Sequence, residues 1–126
     1  MKETLLVPEA APPGGPYSHA VRTGTLLFLA GCTPHRVDGS QVDGAFDEQA
    51  VQAFENIRII AEAAGSRLQN AVRVGVYLKD MNNFAQMNVL FERYFGSENA
   101  PVRTTLPVPG LAFDIEIDAI LDASTS

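Results

Sequence analysis

The sequence predicts an α+β fold with six strands and two helices in the order β-β-β-α-β-α-β-β. Three observations support this prediction. Six short segments are either alternately apolar and polar or wholly apolar, as strands are. Two longer segments carry apolar residues at alternating spacings of three and four, as helices do. Two helices of modest length can cover one face of a sheet of about six strands, but not both faces.

The first third of the chain is predicted to contain three strands and one long loop. A short strand is expected over residues 3–7, followed by a loop over residues 8–16 that carries four prolines and two glycines. Strands over residues 18–22 and 25–33 are predicted to be joined at Thr23–Gly24, a pair of residues typical of a hairpin turn.

Residues 26–30 read LLFLA and are apolar without interruption. A strand that is apolar on both sides should be covered on both sides. The two predicted helices leave one face of the sheet uncovered, so we expect that face to pack against other copies of the chain. Clefts between subunits would then be natural ligand sites.

Two helices are predicted in the middle of the chain. The first is expected to begin at Asp47 as N-cap and to stop at Gly65. Its apolar face comprises Ala50, Phe54, Ile57, Ala61, Ala64 and Leu68. The second follows a turn at Asp80–Asn83 and ends before Gly96, with a stripe of Phe84, Met87, Phe91 and Tyr94.

The remaining strands are predicted over residues 71–79, 102–108 and 115–121. In the first of these, the inward side chains are expected to be Val72, Val74, Val76 and Leu78. If the last two strands belong to one sheet, Arg103, Thr105 and Glu116 are expected to share one face. The tail Ala123–Ser126 is expected to be frayed.

Composition bounds the class of protein. A chain of 126 residues that is 46% hydrophobic is predicted to form one domain, residues 1–126, with a real core. A net charge of −6 without a Lys/Arg cluster argues against a nucleic-acid or membrane surface. The N-terminus has no apolar signal segment, and the single cysteine, Cys32, fits a reducing cytoplasm.

Arg103 and Glu116 are the candidates for chemistry. An arginine beside a carboxylate on a strand face can be a structural ion pair, here with Glu116 or Asp118. It can also hold a small acidic substrate beside a proton-transfer group. On the residues alone the ion pair is favoured, since structural networks also place such pairs.

The sequence indicates no metal site and no cofactor. Cys32 and His35 are spaced like half of a metal site, but one cysteine and two histidines argue against a structural zinc ion. Cys32 is expected to be a small buried hydrophobic residue. His19 is expected on the surface of a strand.

Several short motifs occur in the order found in a known family. They are Gly15–Pro16–Tyr17, Ala30–Gly31–Cys32–Thr33–Pro34, Phe54–Glu55–Asn56–Ile57, Val76–Tyr77–Leu78–Lys79–Asp80, Pro101–Val102–Arg103 and Ile115–Glu116–Ile117. Each motif alone is weak, but together they are specific. The chain resembles the Rid (YjgF) family over nearly its whole length.

This resemblance implies a chorismate-mutase-like α+β fold, with a mixed sheet, two helices on one face, and a homotrimer with clefts between subunits. It implies hydrolysis of reactive 2-enamine and 2-imine acids, such as 2-aminoacrylate, to 2-keto acids and ammonia, without a cofactor. The implied catalytic residues are Arg103, Glu116 and Tyr17, and the implied substrate-binding residues are Arg103, Gly31, Thr105 and Asn88.

The chain departs from the family pattern at the expected cleft. Ala30 and Cys32 stand where many deaminases have Ser and Gln, and Thr105 stands where they often have Cys. These changes leave two alternatives open. One is a non-catalytic trimer that binds small carboxylates or a protein partner. The other is a catabolic deaminase of the aminomuconate type, with a larger or dicarboxylic substrate. For Asn88, binding of backbone at a subunit interface is favoured over catalysis.

Overall fold

The computed structural model of the chain describes residues 1–124 and confirms the predicted α+β class and order of elements. The strands are β1 (Lys2–Leu5), β2 (Ala20–Thr23), β3 (Leu26–Cys32), β4 (Ala71–Leu78), β5 (Val102–Pro107) and β6 (Ile115–Asp122). The helices are α1 (Phe46–Ala63) and α2 (Phe84–Phe95). Neither helix, nor any other helical segment within residues 1–124, has the length and apolar character needed to cross a membrane.

The six strands form one mixed sheet in the order β1-β2-β3-β6-β4-β5. Within residues 1–124, only β4 and β5 pair in parallel, because α2 carries the chain back before β5 begins. Strand β6 runs antiparallel between β3 and β4. This topology places β5 at one edge of the sheet and β6 near its middle.

The core lies between one face of the sheet and the two helices. Strand β6 supplies every second side chain to it, with Ile115, Ile117 and Leu121 fully buried. The aromatic ring of Phe54 on α1 stacks on Tyr94 of α2 at 5.0 Å between ring centroids. The helices therefore cover one sheet face, here called the helix side, and leave the opposite face, here called the open face.

The predicted start of the first helix is wrong, whereas its predicted stop at Gly65 is confirmed. Helix α1 begins at Phe46, so Asp47 is not the N-cap but lies in the first turn. There the positive end of the helix dipole stabilises its negative charge. The helix ends at Ala63, before Gly65 with its φ of 86°. Leu68 therefore lies outside α1, at the start of a short 3-10 turn, although it is still buried in the core.

The predicted burial of Val72 is wrong. Its side chain is 48% exposed, because the pairing of β4 with β6 is interrupted by a bulge between Ala71 and Arg73. Ala71 is buried instead. At the tail, Ala123 is not frayed, since its N–H donates to the carbonyl of Thr25 at 2.7 Å. The N–H of Ser124 likewise donates to Asp122 Oδ1 at 2.8 Å. Residues 125 and 126 of that prediction lie outside the described residues.

The open face carries apolar side chains that nothing in a single copy covers. On β3, Leu27 and Leu29 face the core and are buried, whereas Leu26 and Phe28 are 37% and 40% exposed. Leu106 on β5 is 48% exposed. This is the pattern of a strand face that lacks its packing partner.

Candidate active site

Arg103 lies on the helix side of the edge strand β5. It pairs with Val74 of β4, whose side chain is fully buried in the core. Its guanidinium carbon lies 4.7 Å from the ring centre of Phe91 and 5.6 Å from that of Phe84. These stacking contacts with α2 hold the guanidinium in place, and partial burial lowers the pKa of Arg103 below its usual value.

Glu116 lies on the open face, so the expectation that it shares a face with Arg103 is wrong. Its neighbours on β6, Ile115 and Ile117, are fully buried on the helix side, and side chains alternate along a strand. The register pairs Glu116 with Tyr77 of β4, but it pairs Val74 with Arg103. The thickness of the sheet therefore separates the two candidates within one copy.

The structure also excludes an ion pair between Arg103 and either predicted carboxylate partner in one copy. Asp118 pairs instead with Arg73 at 3.1 Å and accepts a hydrogen bond from the Tyr77 hydroxyl at 3.0 Å. Within residues 1–124, Arg103 forms no salt bridge. Its guanidinium is therefore held by aromatic rings, with its charge unpaired in the described part of the chain.

Three of the predicted site residues gather on the open face: Tyr17, Gly31 and Glu116, here called the open-face group. The Glu116 carboxylate lies against Gly31 so closely that a Cβ at position 31 would overlap it. Burial, and secondarily the charge of Asp118, raise the pKa of Glu116 above its usual value. The Tyr17 hydroxyl accepts a hydrogen bond from the Gly14 N–H at 3.0 Å. A hydroxyl that accepts one hydrogen bond can also donate one.

The other three, Arg103, Thr105 and Asn88, form what we call the helix-side group. Thr105 follows Arg103 by two residues and so points to the same side of β5. Asn88 lies on α2 one turn after Phe84, on the stripe that contacts Arg103. Its Oδ1 atom is buried and has no hydrogen-bond partner within residues 1–124. Such an acceptor costs about 1–3 kcal/mol if it stays unsatisfied.

The prediction for His19 is wrong, and the residue proves to organise the proline-rich loop. It is only 6% exposed; its Nδ1 accepts from the Val7 N–H at 2.8 Å, and its Nε2 donates to the Ala11 carbonyl at 2.7 Å. Asn56 of α1 accepts from the Ala11 N–H at 3.2 Å. These two side chains fix the loop that carries Tyr17.

Sequence reasoning assigned no role to Asn56 or Gln49. Gln49 is buried and joins α1 to the segment before Glu116, because its Oε1 accepts from the Asp114 N–H at 2.8 Å. The signal in both cases is a polar residue within an apolar helical pattern, since such a side chain is buried only when it is hydrogen-bonded.

Cys32 is buried, as predicted, and 6% exposed. Burial, followed by the charges of Glu116 and Asp118, raises the pKa of its thiol to about 12. A thiol with that pKa stays protonated and is not a nucleophile at neutral pH. In the described part of the chain, no three His, Cys, Asp or Glu side chains come together as a metal-binding cluster.

A cavity of about 410 Å³ lies on the helix side of β3, between the proline-rich loop and α1. Tyr17, Ala30 and Gly31 line it, and the same three residues border the shallow concavity on the open face that contains Glu116. The cavity and the open-face group therefore adjoin each other across the end of β3.

Comparison with known proteins gives concordant results. The model of the Endoribonuclease L-PSP family matches residues 8–122. A RutC family protein of Pyrococcus horikoshii is 46% identical over 125 residues, which cover 95% of this chain and 97% of that protein. The 2-iminobutanoate/2-iminopropanoate deaminase of Escherichia coli K12 is 32% identical over 120 residues, 94% of each chain.

Among solved structures, a putative endoribonuclease of Thermotoga maritima superimposes with a TM-score of 0.92 at 34% identity. The match covers 99% of this chain and 100% of that one. The predicted chorismate-mutase-like architecture, which the solved relatives share, is thereby confirmed. Together, the family match over residues 8–122 and the identity to these relatives show that the chain belongs to the Rid (YjgF) family.

Proposed function

We propose that this protein is a hydrolase that converts reactive 2-enamine and 2-imine acids into 2-keto acids and ammonia. The observation that carries the proposal is the division of the site residues into two incomplete groups. The helix-side group holds an arginine without a carboxylate partner in residues 1–124, and the open-face group holds a half-buried glutamate. Identity to a deaminase of Escherichia coli supports this reaction class.

The site is completed, in this proposal, by a second copy of the chain. Glu116 lies on the open face, where the exposed side chains of Leu26, Phe28 and Leu106 need a packing partner. Contact of one copy's helix-side edge with the next copy's open face is heterologous and closes into a ring, which we propose is a trimer. Asn88 Oδ1 would find its donor in the same cleft.

Arg103 would bind the substrate carboxylate. A guanidinium matches a carboxylate with two parallel hydrogen bonds, and it keeps its charge at any working pH. The rings of Phe84 and Phe91 already hold this guanidinium before substrate arrives. Substrate binding therefore loses less conformational entropy of the Arg103 side chain. The C=N carbon of the substrate takes a fixed position beside Glu116 of the neighbouring copy.

The reaction needs one water molecule and no external oxidant. The enamine first gains a proton from solvent at carbon and becomes the protonated imine. Water then attacks the C=N carbon while Glu116 accepts a proton from it. Glu116 passes that proton to the nitrogen, and the C–N bond breaks with its electron pair leaving on ammonia. The hydroxyl left on carbon becomes the C=O of the keto acid, and its proton goes to solvent, which balances the proton taken up at carbon. Glu116 ends in its starting protonation state.

The raised pKa of Glu116 suits this task, since a general base works best when its pKa approaches the working pH. Tyr17 is 50% exposed in one copy and would cover the bound substrate, donating from its hydroxyl. Thr105, beside Arg103, would hydrogen-bond water or substrate. The single cysteine is compatible with the reducing cytoplasm, where we place the reaction.

The proposal predicts that the protein accelerates release of keto acid from imines formed in solution. An amino acid oxidase generates each imine in place, and keto-acid formation is followed with and without the protein. Acceleration that is proportional to protein concentration supports the proposal. Release at the spontaneous rate for every imine, together with saturable binding of a keto acid at Arg103, would instead identify the non-catalytic carboxylate-binding alternative.

A further inference from the structure

We propose that the 410 Å³ cavity beside Gly31 receives the substrate's side chain, and that the preferred substrates are 2-imino acids with bulky apolar side chains. This inference rests on the proposed function and specifies its substrate class. Its starting point is that Tyr17, Ala30 and Gly31 border both the cavity and the concavity that contains Glu116.

The position of Gly31 connects the two spaces. The Glu116 carboxylate lies directly against this residue, so the carbon attacked by water must lie close to it. Because glycine has no side chain, the Glu116 carboxylate can lie directly at the border between the two spaces, and the attacked carbon lies there with it. The cavity then lies where the side chain of a 2-imino acid would extend, while the substrate carboxylate points toward Arg103 of the other copy.

The size of the cavity fits a large substituent. A volume of about 410 Å³ falls within the range of pockets that enclose whole small ligands. The methylene or methyl group of a three-carbon substrate would leave most of it empty. A branched or aromatic side chain would occupy more of it and gain more free energy from burial.

The walls of the cavity select apolar groups. They include Pro12, Pro13, Ala30, Ile60 and the ring of Phe113. Phe113 meets the His35 ring edge to face, with 5.5 Å between ring centroids. Two nearly perpendicular rings form a corner suited to a branched or aromatic side chain.

The polar side chains in the wall are already engaged. His19 uses both ring nitrogens to hold Val7 and Ala11. Asn56 donates to the carbonyls of Thr33 and His35 at 3.0 and 2.8 Å. Within residues 1–124, no lysine or arginine lines the cavity. A second carboxylate would therefore enter without a cation, which disfavours the dicarboxylic substrates of an aminomuconate-type deaminase.

The test compares imines generated from alanine, leucine, phenylalanine and glutamate. For the unmodified protein, we expect kcat/KM for the leucine and phenylalanine imines to exceed that for the alanine imine by about tenfold or more. The glutamate imine should be the poorest substrate. Faster turnover of the alanine or glutamate imine than of the bulky ones would overturn the inference.

A variant that fills the cavity provides the second arm. Ala11→Phe adds a ring from the loop and keeps the backbone hydrogen bonds of residue 11. We expect it to lower kcat/KM for the bulky imines by about tenfold and to change that for the alanine imine by less than about twofold. Val51→Phe, on the exposed side of α1, is the matched control and should leave both unchanged. Equal loss on all imines would contradict the inference.

Binding separates this inference from the proposed function. Calorimetry with pyruvate and with 4-methyl-2-oxopentanoate needs no turnover. Tighter binding of the branched keto acid, lost in Ala11→Phe, supports the cavity's role even if no imine is accelerated. Catalysis of imines with equal affinity for both keto acids would leave the proposed function in place and overturn the inference.

Discussion

Arg103→Ala is expected to lower kcat/KM for imine hydrolysis by at least about 100-fold. The substitution removes a charged two-point contact to the substrate carboxylate, a loss on the order of 2–5 kcal/mol. The effect should fall on both KM and kcat, because the same contact also orients the C=N carbon. Steady-state kinetics with an oxidase-generated imine measures it.

The control for this experiment is Arg93→Ala, which removes an exposed arginine from α2, the helix against which Arg103 packs. It should keep full activity. Arg103→Lys keeps the positive charge but loses the paired N–H donors that bind a carboxylate at two points. We expect its rate to lie between those of the unmodified protein and Arg103→Ala. The free energy of unfolding should fall by only about 1 kcal/mol in Arg103→Ala, from the loss of the stacking on Phe84 and Phe91. Full activity in Arg103→Ala would remove the basis of the proposed site.

Glu116→Gln is expected to lower kcat by about 100-fold, the usual contribution of a positioned general base. In the unmodified protein, the base must be ionised to act. Its pKa is raised above the ordinary 4.5 by burial and by Asp118. The rate should therefore fall as the pH is lowered through this raised pKa, and this acid limb should be absent in the glutamine variant.

The pH profile separates two roles for Glu116. If Glu116 accepts the proton, the glutamine variant loses both the rate and the acid limb. If Glu116 only orients water, the neutral amide replaces it, and the variant keeps most of the rate across the pH range. Glu92→Gln on α2 is the matched control, with an unchanged profile expected. Because the folded-state pKa of Glu116 is raised, its stabilising contribution is present at low pH and is lost as the pH rises through that pKa. The glutamine variant should therefore be at least as stable as the unmodified protein at pH 7.

Most of the fold could be predicted from the sequence, because buried residues recur at every second position in the strands and at every third or fourth position in the helices. Every second residue from Ile115 to Leu121 is buried, as the alternation predicted. The errors occurred where pairing or capping departs from the regular pattern. The bulge after Ala71, for example, exposes Val72, and a bulge depends on the partner strand rather than on local sequence.

The site was predicted less completely, for a different physical reason. Alternation predicts which side chains of one strand share a face. It does not predict which face of a neighbouring strand lies on the same side of the sheet. Only the register, with Val74 beside Arg103 and Tyr77 beside Glu116, shows that the two candidates lie on opposite faces. The burial of His19 could not be predicted either, since its hydrogen-bond partners are backbone groups of the preceding loop.

The central claim is that each site combines Arg103 of one copy with Glu116 of another. Mixing Arg103→Ala with Glu116→Gln after unfolding and refolding tests it most directly. In a ring of three with equal mixing, about one quarter of the clefts regain both native side chains, so about one quarter of the unmodified activity should return. Activity that stays at the level of the two variants, although mass measurement shows mixed assemblies, would contradict the account.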